Sequence, residues 1–232
     1  MIAVTFALPA ESSSFLRRLR KKSRSDQSGI RIIRGEIDDR KIKVLYTGVG
    51  ETICRQRMAA LLRGRQFKYL ISAGFAGALS DRLHVGDLFL AENFSTVKQS
   101  ETCSALSKLS IHAAHLLTVP SIIDSDMERE RIAQTTGADA ADMETEFIAR
   151  ACAERALPLL SLRVISDTPS EPFPAPAHVL FDTARQRIDL AKLSAFFLTH
   201  PSRLPCLIQF TKRIARARET LATALVDIIQ NL

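Results

Sequence analysis

No apolar run in this chain approaches the roughly 18–20 residues that a membrane-spanning helix needs. The first residues, Met1-Ile2-Ala3-Val4-Thr5-Phe6, lack a basic leader region and pass straight into a β-prone stretch, so no secretory signal is expected. The four cysteines, Cys54, Cys103, Cys152 and Cys206, lie far apart with no Cys-x-x-Cys pair. That spacing excludes a disulfide framework or a zinc ribbon and points to reduced thiols in the cytoplasm. Glycine and proline number nine each in 232 residues, and no segment repeats at a fixed period. Long disordered stretches and repeat arrays are therefore not expected.

Other absences narrow the chemistry. No Gly-x-Ser-x-Gly elbow is present, which disfavours a Ser-His-Asp hydrolase. Gly48-x-Gly50 lacks the third glycine of a dinucleotide fingerprint, because Ile53 stands in its place. A phosphate cradle and a tight turn both remain readings of that pair. His112-x-x-His115 has metal-ligand spacing on a helix, but no carboxylate pattern completes a site, so no metal is expected. The net charge is +7, with the excess at Arg17–Arg24 and Arg203–Arg218, both read as helices. Only Phe210 falls among these cations, where a single-strand-binding surface would require several interleaved aromatics, so nucleic acid is not the expected partner.

What is present is a hydrophobic content of 46%, enough for one sizeable core. Ile2 to Leu8 reads as a buried strand ended by Pro9, followed by a helix carrying Phe15, Leu16 and Leu19. Ile30–Ile37 and Ile42–Tyr46, joined by Asp38-Asp39-Arg40, read as a hairpin. Strands are expected at Tyr69–Ser72, Leu88–Ala91, His115–Val119, Ala138–Ala141 and Leu157–Ile165. Helices are expected around Met58–Leu62, Met127–Thr136 and Glu144–Arg155. Asn93–Leu109 reads as a loop or short helix, and the prolines of Ser170–Ala177 demand a loop. The remainder is helical, broken at His200-Pro201, and the last helix carries an apolar stripe through Leu221, Leu225 and Ile228. Alternating strands and helices imply an α/β fold: a three-layer α/β/α sandwich on a central mixed β-sheet, one domain over 1–232 with 189–232 as a helical C-terminal extension.

In such sheets ligands sit where strands end and small residues open the backbone. Acidic residues fall at three strand mouths. Glu11 lies just past Pro9, in a first helical turn where negative charge is favoured. Asp142 and Glu144 straddle a strand-to-helix join; if Asp142 ends the strand, Glu144 can point into a cleft, although helix capping accounts for the cluster equally. Asp167 ends a long apolar strand before Thr168-Pro169, where an active-site role and an Asx turn are both open. Ser72-Ala73-Gly74-Phe75-Ala76-Gly77 carries two glycines that let backbone approach a ligand, or that serve only a packing turn.

Taken in order, Ala7-Leu8-Pro9-Ala10-Glu11, Thr47-Gly48-Val49-Gly50, Ile71 to Gly77, Val85-Gly86-Asp87, Ala141-Asp142-Met143-Glu144 and Arg163-Val164-Ile165-Ser166-Asp167 resemble the nucleoside phosphorylase and nucleosidase superfamily. The nearest resemblance is to methylthioadenosine/S-adenosylhomocysteine nucleosidases, and it covers residues 1 to about 182. The resemblance implies an enzyme that cleaves the N-glycosidic bond of a purine nucleoside and releases adenine. It implies that Glu11 activates water, Met143 packs on the ribose, Glu144 accepts bonds from the ribose hydroxyls, and Asp167 protonates N7. Gly74, Phe75 and Ser166 would line the substrate site, and Phe181 its pocket. No cofactor is implied, and a homodimer is expected.

Three departures accompany it. Phe75 stands where a small hydroxyl residue is usual, the Asn93–His115 segment is short, and Asp189–Leu232 is longer and more basic than a single closing helix. The last two resemble phosphorylase-like proteins associated with hopanoid biosynthesis, whose proposed substrate is an adenosyl lipid. That resemblance implies an open 5′ side and peripheral contact with a membrane surface. Phosphorylases of the superfamily keep a phosphate-binding arginine where Ser72 stands, so water is the expected nucleophile, with Arg55 and Arg57 keeping phosphorolysis open. A non-catalytic nucleoside-binding module is the rival reading.

Overall fold

The computed structural model describes residues 1–27, 30–64, 67–97, 111–176, 179 and 190–232. Ten strands form one mixed sheet. They are β1 (Ile2–Phe6), β2 (Arg20–Gln27), β3 (Ile30–Ile37), β4 (Arg40–Tyr46), β5 (Tyr69–Ala78), β6 (Leu88–Ala91), β7 (Ile111–Ala114), β8 (Leu116–Thr118), β9 (Ala140–Asp142) and β10 (Leu159–Asp167). The main path is β2-β3-β4-β1-β5-β10-β6-β7, with β9 pairing β5 and β8 pairing β9. β4, β1, β5 and β10 run parallel and bring their C-terminal ends to one side. All nine residues of β10 are buried, which is why that stretch reads as a continuous apolar run rather than an alternation.

Among the described residues the helices are α1 (Pro9–Arg18), α2 (Glu51–Leu62), α3 (Asp126–Thr136), α4 (Thr145–Ala153), α5 (Leu190–Thr199) and α6 (Leu204–Asn231), with a 3-10 turn at Pro201–Arg203. Strand alternation assigns them to two layers. Val4, Phe6, Val44, Ile71 and Leu162 face Phe15 of α1 and Leu221, Leu225 and Ile228 of α6. Ala3, Leu45, Leu70 and Leu159 face Met58 and Leu61 of α2 and Ile148 and Cys152 of α4. The three-layer sandwich is as the sequence implies. The second half of α6 is itself one of the covering layers, so residues beyond Ala217 belong to the main core.

The hairpin turn takes its conformation from Asp38 and Asp39, both at positive φ (43° and 61°), as a two-residue turn between twisted strands requires. Two readings change. Arg20, Lys21, Lys22 and Arg24 lie on β2, not on a helix: the helical spacing stops at Leu19, and this outermost strand pairs antiparallel with β3. Its cations blunt an exposed sheet edge. His112 lies on β7 and His115 just beyond it, so they do not share a helical face. Among the described residues no cluster of three His, Cys, Asp or Glu side chains is placed to hold a metal. Most of Asn93–Leu109 falls outside the described residues.

Candidate active site

The parallel strand ends of β1, β4, β5 and β10 surround a small recess lined by Thr5, Glu11, Ser72, Phe75, Glu144 and Arg163 among others. Glu11 enters it from the first turn of α1. Pro9 occupies the first helical position, where its missing N–H costs nothing, and Glu11 at the third reaches back so that the Leu8 N–H donates to Oε2 at 2.8 Å. The Phe75 N–H donates to Oε1 at 3.1 Å. Burial pushes the Glu11 carboxyl up, opposed by those two amides and by the Arg163 charge.

Gly74 makes this placement fit: a Cβ there would stand 3.1 Å from Oε1 of Glu11. Gly77 does the same for Asp167, whose Oδ2 would stand 3.0 Å from an added Cβ. The two glycines of Gly74-Phe75-Ala76-Gly77 therefore make room for two carboxylates of the chain itself. They lie within β5, which continues to Ala78, rather than in a turn after it.

Glu144 follows β9 and caps α4 without a side-chain capping bond; its Oε1 instead accepts from the Gly50 N–H at 3.1 Å. Gly50 (φ 87°) aims that N–H at the carboxylate, so the Gly48-x-Gly50 turn spends this donor inside the protein rather than on a phosphate. Burial, with the Asp142 charge behind it, pushes the Glu144 carboxyl up to about 8.

Asp142 supports the site from below. It accepts from Thr118 Oγ1 (3.0 Å) and from the N–H groups of Glu144 (3.3 Å) and Thr145 (3.2 Å), and it pairs with Arg163 Nε at 3.1 Å. Arg163 is a guanidinium inside a buried strand. Its other donors go to Ser72 O (2.8 Å), Leu162 O (2.9 Å), Ser72 Oγ (2.8 Å) and Thr145 Oγ1 (2.5 Å). An arginine has five N–H groups, and these bonds use all five. The residue therefore offers the recess a fixed positive field but no donor for an incoming anion. Arg55 bonds Glu51 and Arg57 bonds Tyr46 O, and neither lines the recess. Thr5 Oγ1, by contrast, is buried, lines the recess, and has no hydrogen-bond partner among the described residues.

Further along β10, Ser166 is the extra residue of a bulge that shifts the register between Ile165 and Asp167 and so re-aims Asp167. Ser166 Oγ donates to Asp167 Oδ1 at 2.6 Å. Arg129 of α3 pairs with Asp167 Oδ2 and also donates to Ala78 O (2.7 Å) and Ile123 O (3.0 Å). This second cluster is closed off: Arg129 is 4% exposed and Asp167 1%.

The structure thus brings Glu11, Gly74, Phe75 and Glu144 together around the recess, and sets Asp167 and Ser166 in a neighbouring pair with Arg129. Met143 is half-buried between β9 and α4 and does not line the recess. Phe181 lies outside the described residues. Arg163 was open to detection, since a charge in an apolar strand demands a buried partner and Asp142 was the acid without a duty. Arg129 sits in a charged, mostly exposed helix and carried no such signal.

The profile of the phosphorylase superfamily matches residues 1–103 and 99–199. A 5′-methylthioadenosine/S-adenosylhomocysteine nucleosidase of Staphylococcus aureus (strain MRSA252) is 22% identical over 196 residues, spanning 72% of this chain and 86% of that protein. Among solved structures, the MTA/SAH nucleosidase of Streptococcus pneumoniae in complex with 8-aminoadenine superposes with a TM-score of 0.75 at 19% identity, covering 100% of this chain and 99% of that one. The futalosine hydrolase of Helicobacter pylori strain 26695 gives 0.73 at 14% identity, covering 100% and 97%. Such structures speak for the fold, and the profile speaks for the family. The chain belongs to the phosphorylase superfamily.

Proposed function

We propose that the chain hydrolyses the N-glycosidic bond of a purine nucleoside, with adenine the first base to assay. The observation that carries this is the pairing of Glu11, held by two backbone amides, with an Arg163 whose donors are all spent. Among the described residues, phosphate entering the recess would meet two carboxylates and no unengaged guanidinium, whereas water needs only a base. Glu11 takes the proton from water as oxygen attacks the anomeric carbon. Glu144, ionised, accepts from the ribose hydroxyls and stabilises the positive charge that builds on the sugar. Asp167, once it has taken a proton from solvent, passes that proton to N7 as the bond to the base breaks. For that step Arg129 must first release its contact with Oδ2, because Ser166 already occupies Oδ1.

The naming of the curated relatives as methylthioadenosine/S-adenosylhomocysteine nucleosidases supports adenine as the base. We take the enzyme to work as a homodimer, measurable by light scattering. The unpaired, buried thiols of Cys54 and Cys152 suit a reducing cytoplasm. The test is product analysis on adenosine, methylthioadenosine and S-adenosylhomocysteine, with and without phosphate. Free adenine with the free sugar (ribose from adenosine, the 5-substituted ribose from the other two) in both conditions is the expected result. The corresponding sugar 1-phosphate formed only with phosphate would overturn hydrolysis. Binding without release of base would make the chain a nucleoside-binding module.

A further inference from the structure

From Leu190 to Arg218 the chain holds six Lys or Arg and no Asp or Glu. Among the described residues five large apolar side chains are exposed, and three of them belong to this stretch: Leu198 (83%), Ile208 (54%) and Leu204 (43%). They lie at the end of α5 and the start of α6, on either side of the 3-10 turn that carries Arg203. Along α6, Leu204, Ile208, Lys212 and Arg216 recur every four residues and so form one stripe. It is apolar near the turn and cationic two turns further on. At about 1.5 Å per residue, the cations stand roughly 6–18 Å from the apolar end.

We propose that this face, which goes beyond the reaction itself, seats the protein on an anionic lipid bilayer. Leu198, Leu204 and Ile208 enter the boundary between headgroups and acyl chains, while Lys212 and Arg216 reach the phosphates. The depth suits an interfacial helix, whose apolar face sinks roughly 5–10 Å. It also suits long cationic side chains, which lie along apolar surface with their heads in water. Contact of this kind needs no spanning segment, and no described helix is long and apolar enough to cross a membrane.

Charge selects among occupants. A second copy placed there by two-fold symmetry would bring this acid-free segment against itself, cation facing cation. A nucleic acid would meet the cations but leave the apolar end in water. An anionic bilayer satisfies both parts at once.

The experiment is flotation of the full-length protein with phosphatidylcholine vesicles, with and without phosphatidylglycerol. The expected result is binding to the anionic vesicles that falls as salt is raised. Leu198→Ser/Leu204→Ser/Ile208→Ser and, separately, Lys212→Glu/Arg216→Glu should each weaken it by at least about ten-fold. Hydrolysis of a soluble nucleoside should be unchanged in both. The charge variant keeps the test decisive if the apolar variant does not fold. No binding to anionic vesicles, or binding that survives both variants, would overturn the proposal. So would a dimer that only the apolar variant dissolves, or a single-stranded oligonucleotide that competes the vesicles away.

Discussion

Glu144 keeps its proton more tightly in the folded protein than an exposed carboxyl would, because burial and Asp142 oppose its charge. Its contribution therefore favours folding below the ordinary value of 4.5 and is lost as pH rises from there to about 8. Glu11 is shifted in the same direction. Melting temperature should fall as pH is raised through this window. Glu144→Gln keeps an acceptor for the Gly50 N–H but cannot ionise. It should flatten that fall, gain on the order of a few kcal/mol at pH 8, and lose about 10²-fold or more in kcat/KM. In the wild type kcat/KM should climb toward pH 8 as the carboxyl ionises; a profile flat from pH 6 to 9 would remove Glu144 from the free-enzyme ionisation.

Two further side chains give tests of opposite character. Thr5→Val removes a hydroxyl that has no partner among the described residues, so stability measured by urea denaturation should change by less than about 1 kcal/mol. If that hydroxyl meets water or substrate in the recess, kcat/KM should drop by about ten-fold. Arg129→Met leaves the Asp167 carboxylate buried without its counter-ion, and breaking such a pair typically costs about 3–5 kcal/mol. Arg129→Lys should recover part of that loss. A methionine variant as stable as the wild type would show that Asp167 does not depend on this pair.

At the scale of elements, β5 is where scaffold and site meet. It pairs with β1, β10 and β9, and the Cβ-free positions Gly74 and Gly77 let acids from α1 and β10 close on it. Gly74→Ala must displace Glu11, which is fixed by the Leu8 and Phe75 amides. Activity should fall about 10²-fold or more, with a smaller effect on thermal melting, because the clash falls on a carboxylate and not on the apolar core. Equal loss of both would mean that the strand, not the site, had moved. The bulge at Ser166 acts at the same scale: one extra residue decides which way Asp167 faces, and no count of alternating residues along Leu159–Asp167 supplies it.

Across the whole molecule, the chain ends by closing its own core. Leu225 and Ile228 of α6 pack with Val4, Phe6 and Ile71 of the central strands, and Arg17 and Arg18 of α1 pair with Glu219 on the same helix. Leu225→Ala should cost about 2–5 kcal/mol in chemical denaturation, as for a buried core leucine. A cost near zero would make α6 an accessory rather than a layer.

Local pattern was enough for the parallel strands, the hairpin at Asp38-Asp39, the apolar stripe of the last helix and the strand-end positions of Glu11, Asp142 and Asp167. Each of these depends on the period of two or 3.6, or on a residue's own conformational preference, and both are written in neighbouring residues. Tertiary structure decided the rest. Arg20–Gln27 became a strand because β3 was there to pair with it, and the glycines of β5 acquired their meaning from acids that arrive from elsewhere in the chain. Asp142 spends its charge on Arg163, and Asp167 is held by an arginine 38 residues away in sequence. A buried charge takes whichever partner the fold brings within reach, and that partner is set by packing rather than by sequence distance.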